Sequence, residues 1–151
     1  MEFEIKKSEP HDIPQIIFIN EKCSLEEISS SLIERHISDE NTVFLSACHN
    51  GEAVGYIESH FCLYGECGEG EIIDIAVLPE YRRHGIAEAL LKNVIENFTL
   101  KNITEIFLEV RESNEPAKAL YEKYGFLSYG RRKNYYSNPR EDCILMKREK
   151  K

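Results

Sequence analysis

Nowhere does this chain approach the roughly 18 consecutive apolar residues that cross a bilayer as a helix, so no membrane role is expected. Its first residues, MEFEIKKSEP, are acidic and then basic, without the apolar stretch of a secretory signal, which points to the cytoplasm. Internal repeats, low-complexity tracts and Pro/Ser-rich linkers are missing too. The 151 residues therefore read as a single domain, 1–151, long enough to bury a core. The cysteines (Cys23, Cys48, Cys62, Cys67 and Cys143) are odd in number and lack the spacing of a disulfide framework, which leaves reduced thiols. Cys62 and Cys67 are near enough to clip a loop or share a metal. No second pair and no His cluster completes such a site, so no metal is expected. The common phosphate loops are also excluded, because the chain has neither Gly-Lys-Ser/Thr nor Gly-x-Gly-x-x-Gly.

The charge that is present is unevenly spread. A net charge of −8 argues against direct nucleic-acid binding. Residues 1–70 contain 14 Asp/Glu against 4 Lys/Arg, whereas residues 71–151 contain 13 against 15. An acidic first half suits a cationic partner and the more basic second half an anionic ligand. Taken alone, the asymmetry is equally that of an uneven solvated surface.

Periodicity divides the chain into alternating elements. FEIKK reads as an opening strand, and HDIPQIIFINEKC as a helix with Pro14 in its first turn. SLEEISSSLIERHI reads as a second helix, capped by Ser24 with Glu27 as its capping-box partner. TVFLSAC and AVGYIESHFCL are β-rich runs joined through His49-Asn50-Gly51-Glu52, a strong hairpin signal. GEIIDIAVL is a further strand, and ITEIFLEV another. Between them, YRRHGIAEALLKNVIENF carries Ile86, Leu90, Leu91, Val94, Ile95 and Phe98 on one helical stripe. NEPAKALYEKYG is a short helix with Asn114 as N-cap and Gly125 as its stop. FLSYGRRKNYY and EDCILMKRE close the chain as strands around an SNPR turn. The order β-α-α-β-β-β-α-β-α-β-β implies an α/β (α+β) fold whose mixed sheet has one parallel strand pair and is otherwise antiparallel.

The junction YRRHGIA is the first stretch that carries chemistry. A helix start offers unpaired N–H groups and the positive end of a dipole. Gly85 removes a side chain where backbone must approach a ligand, Ala87 keeps the next amide uncrowded, and Arg82 and Arg83 add charge. These features describe a pyrophosphate site, although the spacing alone fits a plain helix start with surface arginines as well. IAVLPEYRRHGIAEALL resembles the acetyl-coenzyme A motif of the GNAT acetyltransferases, Gln/Arg-x-x-Gly-x-Gly/Ala, with Arg82, Gly85 and Ala87 in the defining places. The resemblance implies the GNAT fold and acetyl-CoA as cosubstrate. It also implies that the amides from Arg82, Arg83, His84, Gly85, Ile86, Ala87 and Glu88 hold the pyrophosphate, and that the backbone of Ile75, Ala76 and Val77 binds the pantetheine arm.

The second stretch is FLEVRESNEPAKALYEKYGF. Glu109 lies near the C-terminal end of a strand expected to be parallel to Ile72–Val77, where ligands gather in open α/β sheets. Tyr121 shares a helical face with Ala117, Leu120 and Tyr124. Moving an acetyl group from a thioester to an amine requires one proton to leave the amine and one to meet the departing thiolate, and a carboxylate and a phenol suit these two tasks. On the residues alone, Glu109 is equally an exposed strand-end carboxylate and Tyr121 a core aromatic. The stretch is similar to LEVR-x-SN-x-x-A-x-x-LY-x-x-x-GF of the ribosomal-protein-alanine N-acetyltransferases, the RimI type within the GNAT family. That similarity implies Glu109 as general base, Tyr121 as general acid and Asn114 as a coenzyme A contact.

RRKNYYSNPREDCILMK resembles the ending of the same group, where a hairpin borders the acceptor groove. The resemblance implies Tyr135 and Tyr136 as substrate-binding residues and the basic N-terminus of a small-subunit ribosomal protein as acceptor. The first half departs from the pattern, with EKCSLEE in place of a Pro-Trp-Ser stretch and no tryptophan in the chain. Another protein N-terminus, a lysine, a polyamine or an aminoglycoside therefore stays open as acceptor, as does a non-catalytic acyl-CoA-binding module. The expected oligomeric state is a monomer or weak dimer.

Overall fold

Apolar alternation and 3.6-residue spacing produce the elements that the sequence leads one to expect, and in that order. The computed structural model describes residues 1–23 and 27–150. The strands are β1 (Glu4–Lys7), β2 (Thr42–His49), β3 (Glu52–Tyr64), β4 (Cys67–Val77), β5 (Ile103–Arg111), β6 (Leu127–Tyr136) and β7 (Glu141–Glu149). The helices are α1 (Ile13–Cys23), α2 (Ser30–Ser38), α3 (Ile86–Leu100) and α4 (Glu115–Lys123). The strands form one mixed sheet in the order β1-β2-β3-β4-β5-β7-β6, in which β4 and β5 are parallel. No helix among the described residues is long and apolar enough to cross a membrane.

The chain gathers into two compact units: Met1–His60 with Asp74–Asn97, and Phe61–Ile73 with Phe98–Lys151. In the first, β1 pairs antiparallel with β2 and β2 with β3. The hairpin between β2 and β3 turns at Asn50 (φ 51) and Gly51 (φ 80), the left-handed pair that Asn-Gly supplies at little cost. From α1, Ile13, Ile16, Ile19 and Asn20 are buried. Asn20 Nδ2 donates to the Tyr56 hydroxyl at 3.0 Å, which donates in turn to Asp74 Oδ2 at 2.8 Å. This relay gives the buried polar groups their partners, and burial pushes the Tyr56 hydroxyl well above the usual phenol range. The expected stripe of α3 is buried throughout. At about 1.5–3 kcal/mol per buried aliphatic side chain, it far outweighs intrinsic helix preference.

In the second unit the parallel register of β4 and β5 runs from Gly68↔Ile103 to Ile72↔Leu108. β7 pairs antiparallel with both β5 and β6. A Cβ on Gly70 would overlap the ring of Phe98, so only glycine fits there. Gly125 (φ 89) ends α4, with Phe126 N donating to Tyr121 O at 3.0 Å and Gly125 N to Glu122 O at 3.0 Å.

Two boundaries differ from expectation. α2 begins at Ser30 rather than Ser24, with Ser29 in an extended conformation accepting from Leu32 N at 3.2 Å. Several serines in this segment are competent caps, and the later start still buries Ile33. The expected Ser24–Glu27 capping box lies outside the described residues at Ser24. α3 starts only at Ile86, because the residues before it form the turn described next.

Candidate active site

The candidate feature of the first unit is built from main chain. After β4, Pro79–Tyr81 form a single 3-10 turn. Two residues then enter the left-handed region, Arg83 at φ 66 and Gly85 at φ 78. The first bond within α3 runs from Ala89 N to Gly85 O at 3.0 Å. The amides of Ile86 and Ala87 thus have no acceptor further back in the helix and stand at its positive end. A Cβ on Gly85 would meet no protein atom within 4 Å, so the approach to these amides is open. Gly55 on β3 seats the turn: a Cβ there would lie 3.0 Å from Ala76 O and 3.3 Å from Ile86 Cγ2.

Side chains around the turn divide into braces and exposed groups. Arg82 folds back, with Nε donating to Val77 O at 3.0 Å and Nη2 lying 3.5 Å from Cys23 Sγ. Cys23 Sγ donates to the same carbonyl at 3.2 Å. Arg82 therefore secures the exit from β4, a role that the spacing alone does not reveal. Arg83 and His84 are exposed, Ala87 and Glu88 half-buried, and the Ile86 side chain is in the core, which leaves its amide as its contribution. Ala76 and Val77 are buried and Ile75 is half-buried. Left-handed backbone, an uncovered glycine and a helix start form an anion cradle whose chemistry fits a diphosphate.

The candidate feature of the second unit is built from side chains. Glu109 follows directly after the last parallel pair, Ile72↔Leu108, and sits opposite Leu145 of β7. The Tyr135 hydroxyl donates to Glu109 Oε1 at 3.3 Å, and Arg132 Nε lies 3.2 Å from Oε2. The Glu109 charge, with some burial, raises the Tyr135 phenol, so that it keeps the proton it donates. The Tyr135 and Tyr136 rings meet edge to face at 5.0 Å, and Arg111 lies 4.4 Å over the Tyr136 ring. Burial raises the Tyr136 hydroxyl as well. Arg132 is a member of this cluster that sequence reading missed, although it stands in the same RRKNYY stretch that supplied Tyr135 and Tyr136.

Arg111 and Glu141 hold the end of this cluster in place. Arg111 Nη1 donates to Pro139 O at 3.1 Å and to Glu141 Oε1 at 3.2 Å, and Nη2 donates to Ser137 O at 3.2 Å. Glu141 Oε2 accepts from Ser113 N at 2.7 Å. Asn114 is exposed and caps α4, its side chain accepting from Ala117 N at 3.2 Å. Tyr121 is buried on α4 with its ring 5.7 Å from Phe126. Cys143 is fully buried and burial pushes its thiol up, the opposite of what a nucleophilic cysteine requires. Cys62 and Cys67 are both free thiols.

Comparison with known proteins identifies the family. Residues 10–126 match the model of the Acetyltransferase (GNAT) family. An N-alpha-acetyltransferase of Saccharolobus solfataricus is 37% identical, covering 97% of this chain and 93% of the relative. The ribosomal protein bS18-alanine N-acetyltransferase of Escherichia coli is 32% identical, covering 94% of each chain. A crystal structure of the Escherichia coli ribosomal-protein-S18-alanine N-acetyltransferase superposes with a TM-score of 0.84 at 28% identity, covering 98% of this chain and 94% of that one. The NatC complex bound to Gag peptide and CoA contains a chain that superposes with a TM-score of 0.88 at 25% identity, covering 100% of both.

Proposed function

Since the chain belongs to the GNAT acetyltransferase family and is an acetyl-CoA-dependent N-acetyltransferase, we propose that its acceptor is the N-terminal alanine of a small-subunit ribosomal protein. The observation that carries this reading is an exposed carboxylate, Glu109, on which Tyr135 and Arg132 converge at 3.3 and 3.2 Å. Similarity to the Escherichia coli bS18-alanine enzyme along 94% of both chains supports the choice of acceptor. An acceptor on the ribosome places the reaction in the cytoplasm.

In this mechanism the amides at the start of α3 bind the diphosphate of acetyl-CoA, aided by Arg83 and His84, while Ile75, Ala76 and Val77 align the pantetheine arm. Asn114 contacts the coenzyme. Glu109 takes the proton of the acceptor ammonium, directly or through one water, and the freed amine attacks the thioester carbonyl. The C–N bond forms, the C–S bond breaks, the Tyr121 hydroxyl supplies a proton to the departing sulfur, and the second proton shed by the acceptor nitrogen returns Tyr121 to its neutral form by way of solvent. Tyr135 and Tyr136 border the acceptor peptide. Transfer is direct, because the buried and poorly ionised Cys143 makes a covalent cysteine relay unfavourable.

A broader acceptor range is the second reading, favoured by the archaeal relative that is named only for N-alpha-acetylation. The test offers acetyl-CoA with three acceptors and follows release of free thiol. They are a basic peptide beginning with Ala, the same peptide blocked at its N-terminus, and spermidine. The unblocked peptide should be turned over fastest. Equal turnover of the blocked peptide or of spermidine would overturn the α-amine assignment.

A further inference from the structure

Independently of acetyl transfer, the first unit brings together three groups that the sequence keeps 22 residues apart or more closely paired on a strand. His36 lies on α2, and Glu58 and His60 lie two apart on one face of β3. His36 Nδ1 and His60 Nε2 each lie 2.6 Å from the same oxygen, Glu58 Oε2. The two rings meet edge to face, with centroids 4.9 Å apart. One donor atom from each of the three residues falls within 4.8 Å of the others. The Glu58 side chain is only 3% exposed. A carboxylate so buried requires compensation by a cation or a full set of hydrogen bonds.

Protein hydrogen bonds alone leave this cluster incomplete. His60 Nε2 makes a well-aligned bond to Glu58 Oε2. His36 Nδ1, equally close, is misaligned for one and has no hydrogen-bond partner. Thr42 pairs directly opposite His60 in the β2–β3 register, so their side chains share a face. Thr42 Oγ1 is also buried without a partner. Among the described residues these two atoms are the only buried side-chain polar atoms without a hydrogen bond, and both belong to this corner of the fold.

We propose that His36, Glu58 and His60 bind a divalent transition-metal ion of the zinc type, which ties α2 to the β2–β3 face. Two imidazoles and one carboxylate are the donor set of an open tetrahedral zinc site, the fourth position taking water; calcium and magnesium favour all-oxygen donors. Zinc ligand bonds of about 2.0–2.1 Å require donor separations of about 3.3 Å in a tetrahedron. The two 2.6 Å contacts must therefore open by less than an ångström, a side-chain adjustment. The ion would place a fixed positive charge beside the buried Glu58 carboxylate and give His36 Nδ1 its partner. It would also anchor a helix in which Ile33 is the only residue buried.

The test uses the full-length protein freed of metal by chelation. Zn²⁺ is titrated against a chromophoric competitor, Co²⁺ binding is followed by its visible absorption, and melting is measured with and without Zn²⁺. The wild type should take up one equivalent in a tetrahedral Co²⁺ environment and melt at a higher temperature with Zn²⁺. His36→Ala and His60→Ala, each checked for native circular dichroism, should weaken Zn²⁺ binding at least tenfold and lose the melting shift. A Cys62→Ser/Cys67→Ser variant should retain both. No uptake by the wild type, or uptake that survives both histidine substitutions, would overturn the proposal.

Discussion

The turn from Arg82 to Ala87 and the cluster around Glu109 solve opposite problems with opposite materials. In the proposed mechanism the turn recognises through main-chain amides, beside φ angles of 66 at Arg83 and 78 at Gly85. The cluster is made of side chains, Glu109, Arg132 and Tyr135, drawn from β5 and β6, through which the proposed chemistry would run. A backbone site tolerates changes of side chain so long as the chain path holds, whereas a side-chain site fails when a single functional group is altered. Substitutions in the two regions should therefore separate binding from chemistry.

The largest effect belongs to the side-chain region. Glu109→Gln should lower kcat by about 10²–10⁴-fold and leave the acetyl-CoA Kd and the circular dichroism unchanged. Tyr121→Phe should lower kcat in the same manner. Steady-state kinetics with calorimetry checks both, and full turnover in the two variants would remove the assigned pair. The next effect belongs to the turn. Gly85→Val places a β-branched residue at φ 78, where such residues are strained by about 1–2 kcal/mol, and crowds the open approach to the amides. It should raise KM for acetyl-CoA at least tenfold while kcat at saturation falls far less.

Smaller effects sharpen the contrast. Asn114→Ala removes the α4 cap and should cost about 1 kcal/mol in chemical denaturation, with a modest rise in KM for acetyl-CoA from the lost coenzyme contact. The acid limb of stability tests the support of the cluster. Glu141, stabilised by Ser113 and Arg111, and Asp142, stabilised by Asn134 N and Arg131, both ionise below the usual carboxylate range. A depressed folded-state pKa contributes stability that is present above the unfolded pKa and lost as pH falls through the folded one. Melting temperature should therefore decline on acidification below about pH 4, and Glu141→Gln should flatten that decline.

These regions also differ in how far they could be read from the chain. Strands and helices followed from periodicity, because the α3 stripe and the Asn50-Gly51 turn state their structure locally. The turn was legible from its glycine and its place between a strand and a helix, but the inward fold of Arg82 onto Val77 O was not, since it follows from the path of the turn, and its second contact, to Cys23 Sγ, comes from a residue 59 positions away. α2 began late because adjacent serines offer equivalent caps. Glu109 was visible as a strand-end carboxylate, yet its partner Arg132 arrives only through the β5–β7–β6 pairing. His36, Glu58 and His60 were invisible as a group: no fixed spacing announces a cluster joined by a helix folding over a strand.

The account depends most on main-chain recognition of a diphosphate at the start of α3. Calorimetric titration of coenzyme A into the wild type and into Gly85→Val tests it directly. It predicts one site per chain in the wild type and at least tenfold weaker binding in the variant; no binding by the wild type, or equal affinity in the two, would contradict it.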